Sequence, residues 1–373
     1  MKILLLSIHP LIDNRINKHI GTLLKNGYCI EYINVSEDNI SNLGLERKIK
    51  LENINKNFDL HKPFSIMKIY KDIKKYIKNS DAKIVHIHDI FLLPLVPYIR
   101  RSGKKVVFDK HESFEKINAV SAKVITFYER IIAKKIDGIV YTADQQLNFI
   151  KKNKYKRYIQ VPNYQEISKY SSIKISKKNK ENFTVVYIGS LSTKDRDILL
   201  LLNVFENLIY KNKSINCILG GKIFHDEVKS KVIDLSNKYK ENFKYLGVIP
   251  YDEVVKINKK ADIGLLFFKD DPNTYNSSSN KLYEYLLSGT IFIGVGKFIL
   301  GDEIKESNAG NIFDFDTREE KISEYILNII RNENKLNEMK KNAYNLGVNY
   351  TWESIEKRYI NLYEEILNEG ECL

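Results

Sequence analysis

Apolar runs of four to seven residues alternate with longer amphipathic stretches from the start of the chain. The runs Lys2–Ser7, Cys29–Val35, Lys83–His88, Lys105–Asp109, Gly138–Thr142 and Tyr158–Val161 are too continuous for half-exposed strands. They are expected as parallel strands buried on both faces. Between most of them, Asn14–Lys25, Ser65–Lys78, Leu92–Arg101, Ala119–Lys135 and Ala143–Lys152 carry the spacing of helices with one apolar face. Residues 163–182 are polar and lysine-rich and read as a linker. The alternation then restarts with strands Phe183–Ile188, Asn216–Gly220, Phe243–Leu246, Asp262–Phe268 and Thr290–Val295. Helices Ile198–Tyr210, His225–Tyr239, Tyr251–Lys259 and Ser279–Ser288 fall between them, and Trp352–Leu367 is a long amphipathic closing helix. The pattern predicts an α/β protein of two Rossmann-like, doubly wound domains facing across a cleft. The expected boundaries are 1–165 and 183–350, a linker at 166–182, and a closing segment 351–373 that packs back toward the first domain. Ligands of such sheets bind beyond the carboxyl ends of the strands.

The 373 residues are 43% hydrophobic and 29% charged, which excludes a disordered chain and supports two domains with their own cores. No run approaches the ~20 apolar residues of a membrane span. The apolar N-terminal stretch is short, has no small-residue cleavage site and runs at once into His9, Pro10 and Asp13, so it reads as a first strand rather than a signal peptide. Cys29, Cys217 and Cys372 are an odd, scattered set that fits a reducing cytosol. The formal charge of +13 is uneven: residues 1–180 carry a net +18 and residues 181–373 a net −5. A basic half points to an anionic partner, or to a solvated lysine-rich surface.

The dinucleotide fingerprint is missing. After the first strand comes IHPLIDNRI, without a glycine-rich turn, and Gly294-Val-Gly296 lies far from the first βα unit, so NAD chemistry is disfavoured. The segment NSSSNKLYEYLLSG, Asn276–Gly289, says more. A serine-rich loop leads into a helix with Lys281 and Glu284 in its first turns. Free N–H groups there attract phosphate, Lys281 adds charge, and Glu284 could accept bonds from two adjacent ribose hydroxyls. The plain alternative is an N-cap followed by favourable first-turn charges.

KLYEYLLSG resembles the KLFEYMAAG element of bacterial glycosyltransferases of the family 4 type, in which the Glu grips the nucleotide ribose. Other segments resemble the family's elements in the same order: Asp13-Asn-Arg15-Ile with LLKNGY, HIHDIFLLPL, GKKVVFDKHESF, VPNY, VVYIGSLSTKDRDI, LGVIPYDEV and YTWESIEKRYINLYEEIL. The resemblance implies the GT-B fold and a glycosyltransferase used in surface polysaccharide synthesis. It implies a UDP- or GDP-sugar donor held by the second domain through Gly189, Ser190, Val248, Ile249, Ser278, Ser279, Asn280, Lys281 and Glu284. His111, Glu112, Lys194 and Arg196 are expected at the reacting centre, and Asp13, Arg15, His88 and Asn163 at the acceptor or cleft side. The expected reaction is retaining and metal-free, with cationic groups at the leaving diphosphate in place of a metal. The acceptor is a glycan or lipid-linked oligosaccharide. The expected location is cytoplasmic, peripheral on the inner face of the plasma membrane, with no nucleic-acid partner.

The sequence departs from the family at two points. The position eight before Glu284, where many members carry a first Glu, is Asn276, and the Arg-Gly of the phosphate loop is Arg196-Asp197. Asp195-Arg196-Asp197 also spells the metal-holding D-x-D of another fold, although a helix follows directly and N-capping explains it more simply. His86 and His88 share a strand face and, with Asp89 and His111, could form a metal site or line the cleft. Ser65–Lys78 puts Ile66, Ile69, Tyr70, Ile73 and Ile77 on one face and lysines on the other, which suits a core-packed helix or a basic surface resting on anionic lipid. Rival readings are a GT-B sugar-nucleotide epimerase, a catalytically silent sugar-nucleotide-binding relative, and a basic nucleic-acid-binding protein, which lacks its usual motifs here.

Overall fold

Strands with both faces apolar must be covered by helices on both sides, and the chain meets that demand twice. The computed structural model describes residues 1–8, 14–35, 49–54, 63–110, 119–170 and 182–369. They divide into two units, Met1–Pro162 with Ile355–Leu373, and Asn163–Ser354.

In the first unit the order is β1 Lys2–Ser7, α1 Asn14–Lys25, β2 Cys29–Asn34, β3 Lys50–Asn53, α2 Pro63–Asn79, β4 Ile84–His88, α3 Val96–Arg101, β5 Lys105–Lys110, α4 Ala119–Ile132, β6 Gly138–Tyr141, α5 Gln145–Lys152 and β7 Tyr158–Gln160. The strands form one parallel sheet in the order β3-β2-β1-β4-β5-β6-β7. The direction of winding reverses between β1 and β4. The helix expected over Leu92–Arg101 is split into a 3₁₀ turn, Ile90–Leu95, and α3, with Pro94 inside the turn and Pro97 in the first turn of α3. Proline removes the N–H that a continuous helix would need at each place. β3 was not expected. It is a four-residue edge strand, KLEN, with too few apolar positions to stand out.

The second unit runs β8 Phe183–Ile188, α6 Ile198–Lys211, β9 Ile215–Gly220, α7 Asp226–Lys238, β10 Phe243–Tyr245, α8 Tyr251–Lys260, β11 Ile263–Phe267, α9 Asn280–Leu287, β12 Ile291–Val295, α10 Gly301–Glu306, β13 Gly310–Phe313, α11 Glu319–Ile330 and α12 Glu333–Gly347. Its parallel sheet is ordered β10-β9-β8-β11-β12-β13, so β8 and β11 flank the switch point. Part of the expected linker is anchored here. Ile167–Lys169 form a 3₁₀ turn and Tyr170 is fully buried against Val255 and Leu287. Residues 171–181 lie outside the described residues.

The closing helix, α13 Trp352–Asn368, belongs to the first unit from Ile355 onward. Its Glu356 carboxylate pairs with Lys25 at 2.8 Å and accepts from the Thr22 hydroxyl of α1 at 3.1 Å. On β6, Gly138 makes room for it, because a Cβ there would come within 2.8 Å of Ile366 and 3.0 Å of Leu362.

A similar accommodation seats α9. On β11, a Cβ at Gly264 would lie 2.6 Å from the ring of Tyr285, which is fully buried against the sheet. Gly264→Ala should therefore cost about 1–3 kcal/mol through overpacking. Thermal unfolding is expected to show the loss, whereas Gly21→Ala on α1, where nothing lies within 4 Å, should leave stability equal or slightly higher.

Candidate functional site

The carboxyl end of β8 and the start of α9 bring together most of the residues expected to hold a nucleotide. Ser279 is the N-cap residue of α9, but its side chain makes no capping bond. The first N–H groups of the helix are thus left without that side-chain acceptor. Ser278 is buried and its hydroxyl lies 3.0 Å from the Tyr283 hydroxyl. Asn163 reaches the same corner, its Nδ2 donating to the Ser278 carbonyl at 3.1 Å. Gln165 Nε2 contacts Asn280 Oδ1 at 3.4 Å, and Gln165 Oε1 accepts from the Tyr251 hydroxyl at 2.8 Å.

Glu284 lies one turn into α9 and is only 2% exposed. A carboxylate with so little water needs a partner, and Lys281 Nζ donates to its Oε2 at 3.0 Å. Lys281 also crosses Gly189, where an added Cβ would sit 3.0 Å from its Cε. Gly189 and Ser190 lead out of β8. Gly221, at φ +130°, fits against this turn because a Cβ would collide with the Gly189 carbonyl oxygen at 1.7 Å. The Tyr187 hydroxyl donates to the Ser190 carbonyl at 2.8 Å. Burial pushes the Tyr187 phenol up, while Arg196 beside it pulls the other way.

Arg196 is set for an anion. Its guanidinium stacks 4.6 Å over the Phe268 ring, and its Nε and Nη1 are buried with no hydrogen-bond partner among the described residues. Asp195 Oδ2 stands 3.5 Å from Nη1, an ion pair without a hydrogen bond. Buried guanidinium donors left unused are costly, and an incoming phosphate would satisfy them. Asp197 serves as the N-cap of α6, accepting from Leu200 N at 3.1 Å, which is the simpler of the two roles expected for the D-x-D triplet. Lys194 is exposed. Val248 is 75% exposed, and Ile249 is half-buried against the core in the loop after Gly247. Asn276, standing where a first Glu was expected, has φ +52°. Asn tolerates this left-handed backbone better than Glu does, so the turn itself favours the departure.

In the first unit, Arg15 and His88 turn inward at the β1/β4 switch point. Arg15 makes a bidentate pair with Asp109, Nε to Oδ2 and Nη2 to Oδ1, both at 2.8 Å, and Nη1 donates to the Val161 carbonyl at 2.8 Å. It is buried and spent on these partners, in contrast to the cleft-facing cation expected. His88 is fully buried, with Nδ1 3.3 Å from Asp109 Oδ2. The histidine cluster forms around His19 and Asp109 rather than Asp89: ligand atoms of His19, His86, His88 and Asp109 lie within 4.8 Å of one another. The Arg15 cation held on both Asp109 oxygens opposes a second cation there. Asp13, His111 and Glu112 lie outside the described residues.

Sequence reasoning missed Asp109, His19, Tyr187 and Phe268. For His19 a signal existed, since Arg15 and His19 are one turn apart on α1 and share a face. A buried Asp at a strand end likewise calls for a cation. Tyr187 and Phe268 read only as core.

Residues 168–346, just under half of the chain, match the family model described as Glycosyl transferases group 1. No curated protein matches the sequence significantly. Solved structures give the fold. Sucrose-phosphate synthase from Thermosynechococcus elongatus superposes with a TM-score of 0.74 at 12% identity, covering 99% of this chain and 100% of its own. Anabaena HepE in complex with UDP and glucose gives 0.71 at 14% identity, with 98% and 100% covered. WaaG, a glycosyltransferase involved in lipopolysaccharide biosynthesis, gives 0.69 at 12% identity, with 95% and 98% covered. The chain thus has the two Rossmann-like domains of the GT-B fold.

The first unit's cluster gives a pH dependence. Burial holds His19 well below its ordinary value, with Arg15, His88 and His86 adding to the depression and Asp109 opposing it. The unfolded chain then binds the proton more readily, so stability is full above about pH 6.5 and falls as acid is added. Chemical denaturation at pH 7 and pH 5 should show a smaller loss for His19→Gln than for the natural chain.

Proposed function

We propose that this chain is a glycosyltransferase that binds a nucleoside-diphosphate sugar in its second unit and passes the sugar to a glycan or lipid-linked acceptor with retention. The observation that carries the reading is a buried Glu284 paired with Lys281, with a second cation, Arg196, in the loop that follows β8. Lys281 touches the carboxylate, and Arg196 holds buried donors that make no hydrogen bond among the described residues. The group 1 match over residues 168–346 covers these residues. The HepE complex, which holds UDP and glucose, favours a UDP-sugar, and the lipopolysaccharide role of WaaG supports cell-surface glycan assembly.

In this reading Glu284 accepts from the two ribose hydroxyls. Lys281 then shifts toward the diphosphate, where Arg196 and the uncapped start of α9 also point. Breaking the sugar–phosphate bond leaves charge on the diphosphate, and donors already aimed there lower the barrier without reorganising. Backbone around Val248 and Ile249 reads the base. No metal is needed, because the positive charges are supplied by side chains and a helix terminus. In a front-side retaining transfer the departing phosphate oxygen takes the acceptor's proton.

Glu284→Ala should raise the donor KM by a factor on the order of 100, as expected for lost bonds to a charged group. Arg196→Met should lower kcat and kcat/KM together. Steady-state assays with UDP-glucose, alongside thermal unfolding, check both. Unchanged kinetics in a folded Glu284→Ala chain would overturn the assignment.

A further inference from the structure

α4 turns its charge inward and its apolar side out. Glu129 is buried and accepts from the Lys110 ammonium at 2.8 and 3.0 Å and from the Tyr155 hydroxyl at 3.1 Å. Rotating the helix would carry Glu129 away and leave the buried Lys110 ammonium without its carboxylate, so the ion pair fixes the helix's orientation. The same orientation sends Val124, Phe127 and Ile131, at spacings of three and four residues, to the outside, each more than half exposed. A row of large exposed apolar side chains is uncommon on a soluble surface unless something covers it.

The neighbouring surface continues the pattern. The Tyr70 hydroxyl of α2 donates to the carbonyl of Phe91, itself 39% exposed in the 3₁₀ turn, and Met67 lies exposed one turn earlier on α2. Burial, and after it the nearby Tyr128 of α4, push the Tyr70 phenol up to about 12. Beside this apolar strip, α2 buries Ile69, Ile73 and Ile77 and exposes Lys68, Lys71, Lys74, Lys75 and Lys78, against a single acidic residue, Asp72. Lys123 and Arg130 flank the α4 row.

We propose that the outer faces of α4 and α2 dock the first unit on an anionic lipid bilayer. Val124, Phe127 and Ile131 enter the boundary between headgroups and acyl chains, and the α2 lysines meet the lipid phosphates. Both attractions that drive interfacial binding are present side by side. A second copy of the chain would set lysines against lysines on the same face, so charge favours lipid over self-association. Docking stands independently of the donor reading. Only its use, bringing the enzyme to a lipid-linked acceptor, rests on that reading.

Flotation of the full chain with phosphatidylcholine vesicles, with and without phosphatidylglycerol, tests the surface. Binding is expected on the anionic vesicles, falling as salt rises. Phe127→Ser with Ile131→Ser should weaken it about tenfold or more, and Lys71→Glu with Lys74→Glu by a similar factor. Circular dichroism checks that these exposed positions leave the fold unchanged. Equal partitioning to both vesicle types, or anionic binding untouched by Phe127→Ser with Ile131→Ser, would overturn the proposal. So would a dimer in light scattering that this double variant dissociates while lipid binding persists. Vesicle binding that fails while UDP-glucose still raises the melting temperature would remove the docking surface and leave the donor reading standing.

Discussion

A buried carboxylate must be answered by positive charge, and the second unit is built around answering Glu284. The residue sits one turn into α9, almost without water, and Lys281 is the partner it has. α9 can hold it there only because Tyr285 lies flat on β11 over Gly264, and because α12 approaches closely at Gly347, where a Cβ would come within 2.7 Å of the α9 backbone. The polar corner made by Asn163, Gln165, Ser278 and Tyr251 then fixes where the helix begins. Packing, capping and charge thus converge on one short helix. A small shift of α9 would move the carboxylate, the cation and the helix's first N–H groups together.

The net charge of each half is a poor guide to where an anion binds. Residues 181–373 are net negative, yet Arg196, Lys281 and the start of α9 concentrate positive potential at one strand end. Apart from Glu284 and Asp195, acidic side chains of this half are engaged elsewhere. Glu206 pairs with Lys231 and Lys238, Asp262 with Lys340, and Asp197 caps α6. What matters for recognition is the local field inside a partly dry site, where each charge counts for more than on an open surface.

The strand and helix order was legible because buried parallel strands leave continuous apolar runs, and the restart after residue 182 marked a second sheet. The short edge strands β3 and β13, and the split at Pro94 and Pro97, were less legible, since four residues carry little periodicity. At the candidate site, Lys281 and Glu284 were visible because a helix start constrains what its first turn can face. Arg15 was read as a ligand cation because it follows the first strand, but sequence does not show that Asp109, far along the chain, occupies it. Long-range ion pairs of this kind are set by sheet topology. β5 is two strands from β1, and only the assembled sheet brings its end over α1.

The same reasoning explains why α4 misleads when read alone. Its sequence, AVSAKVITFYERII, has apolar residues on more than one side, and pattern alone would turn the most apolar side inward. The structure instead gives priority to Glu129, because leaving a charge unpaired inside costs more than leaving three apolar side chains outside. Lys110, at the end of β5, decides the matter by reaching under the helix. One ion pair therefore does two jobs. It satisfies the interior and selects which surface the first unit presents, so the character of the exposed face follows from a contact beneath it.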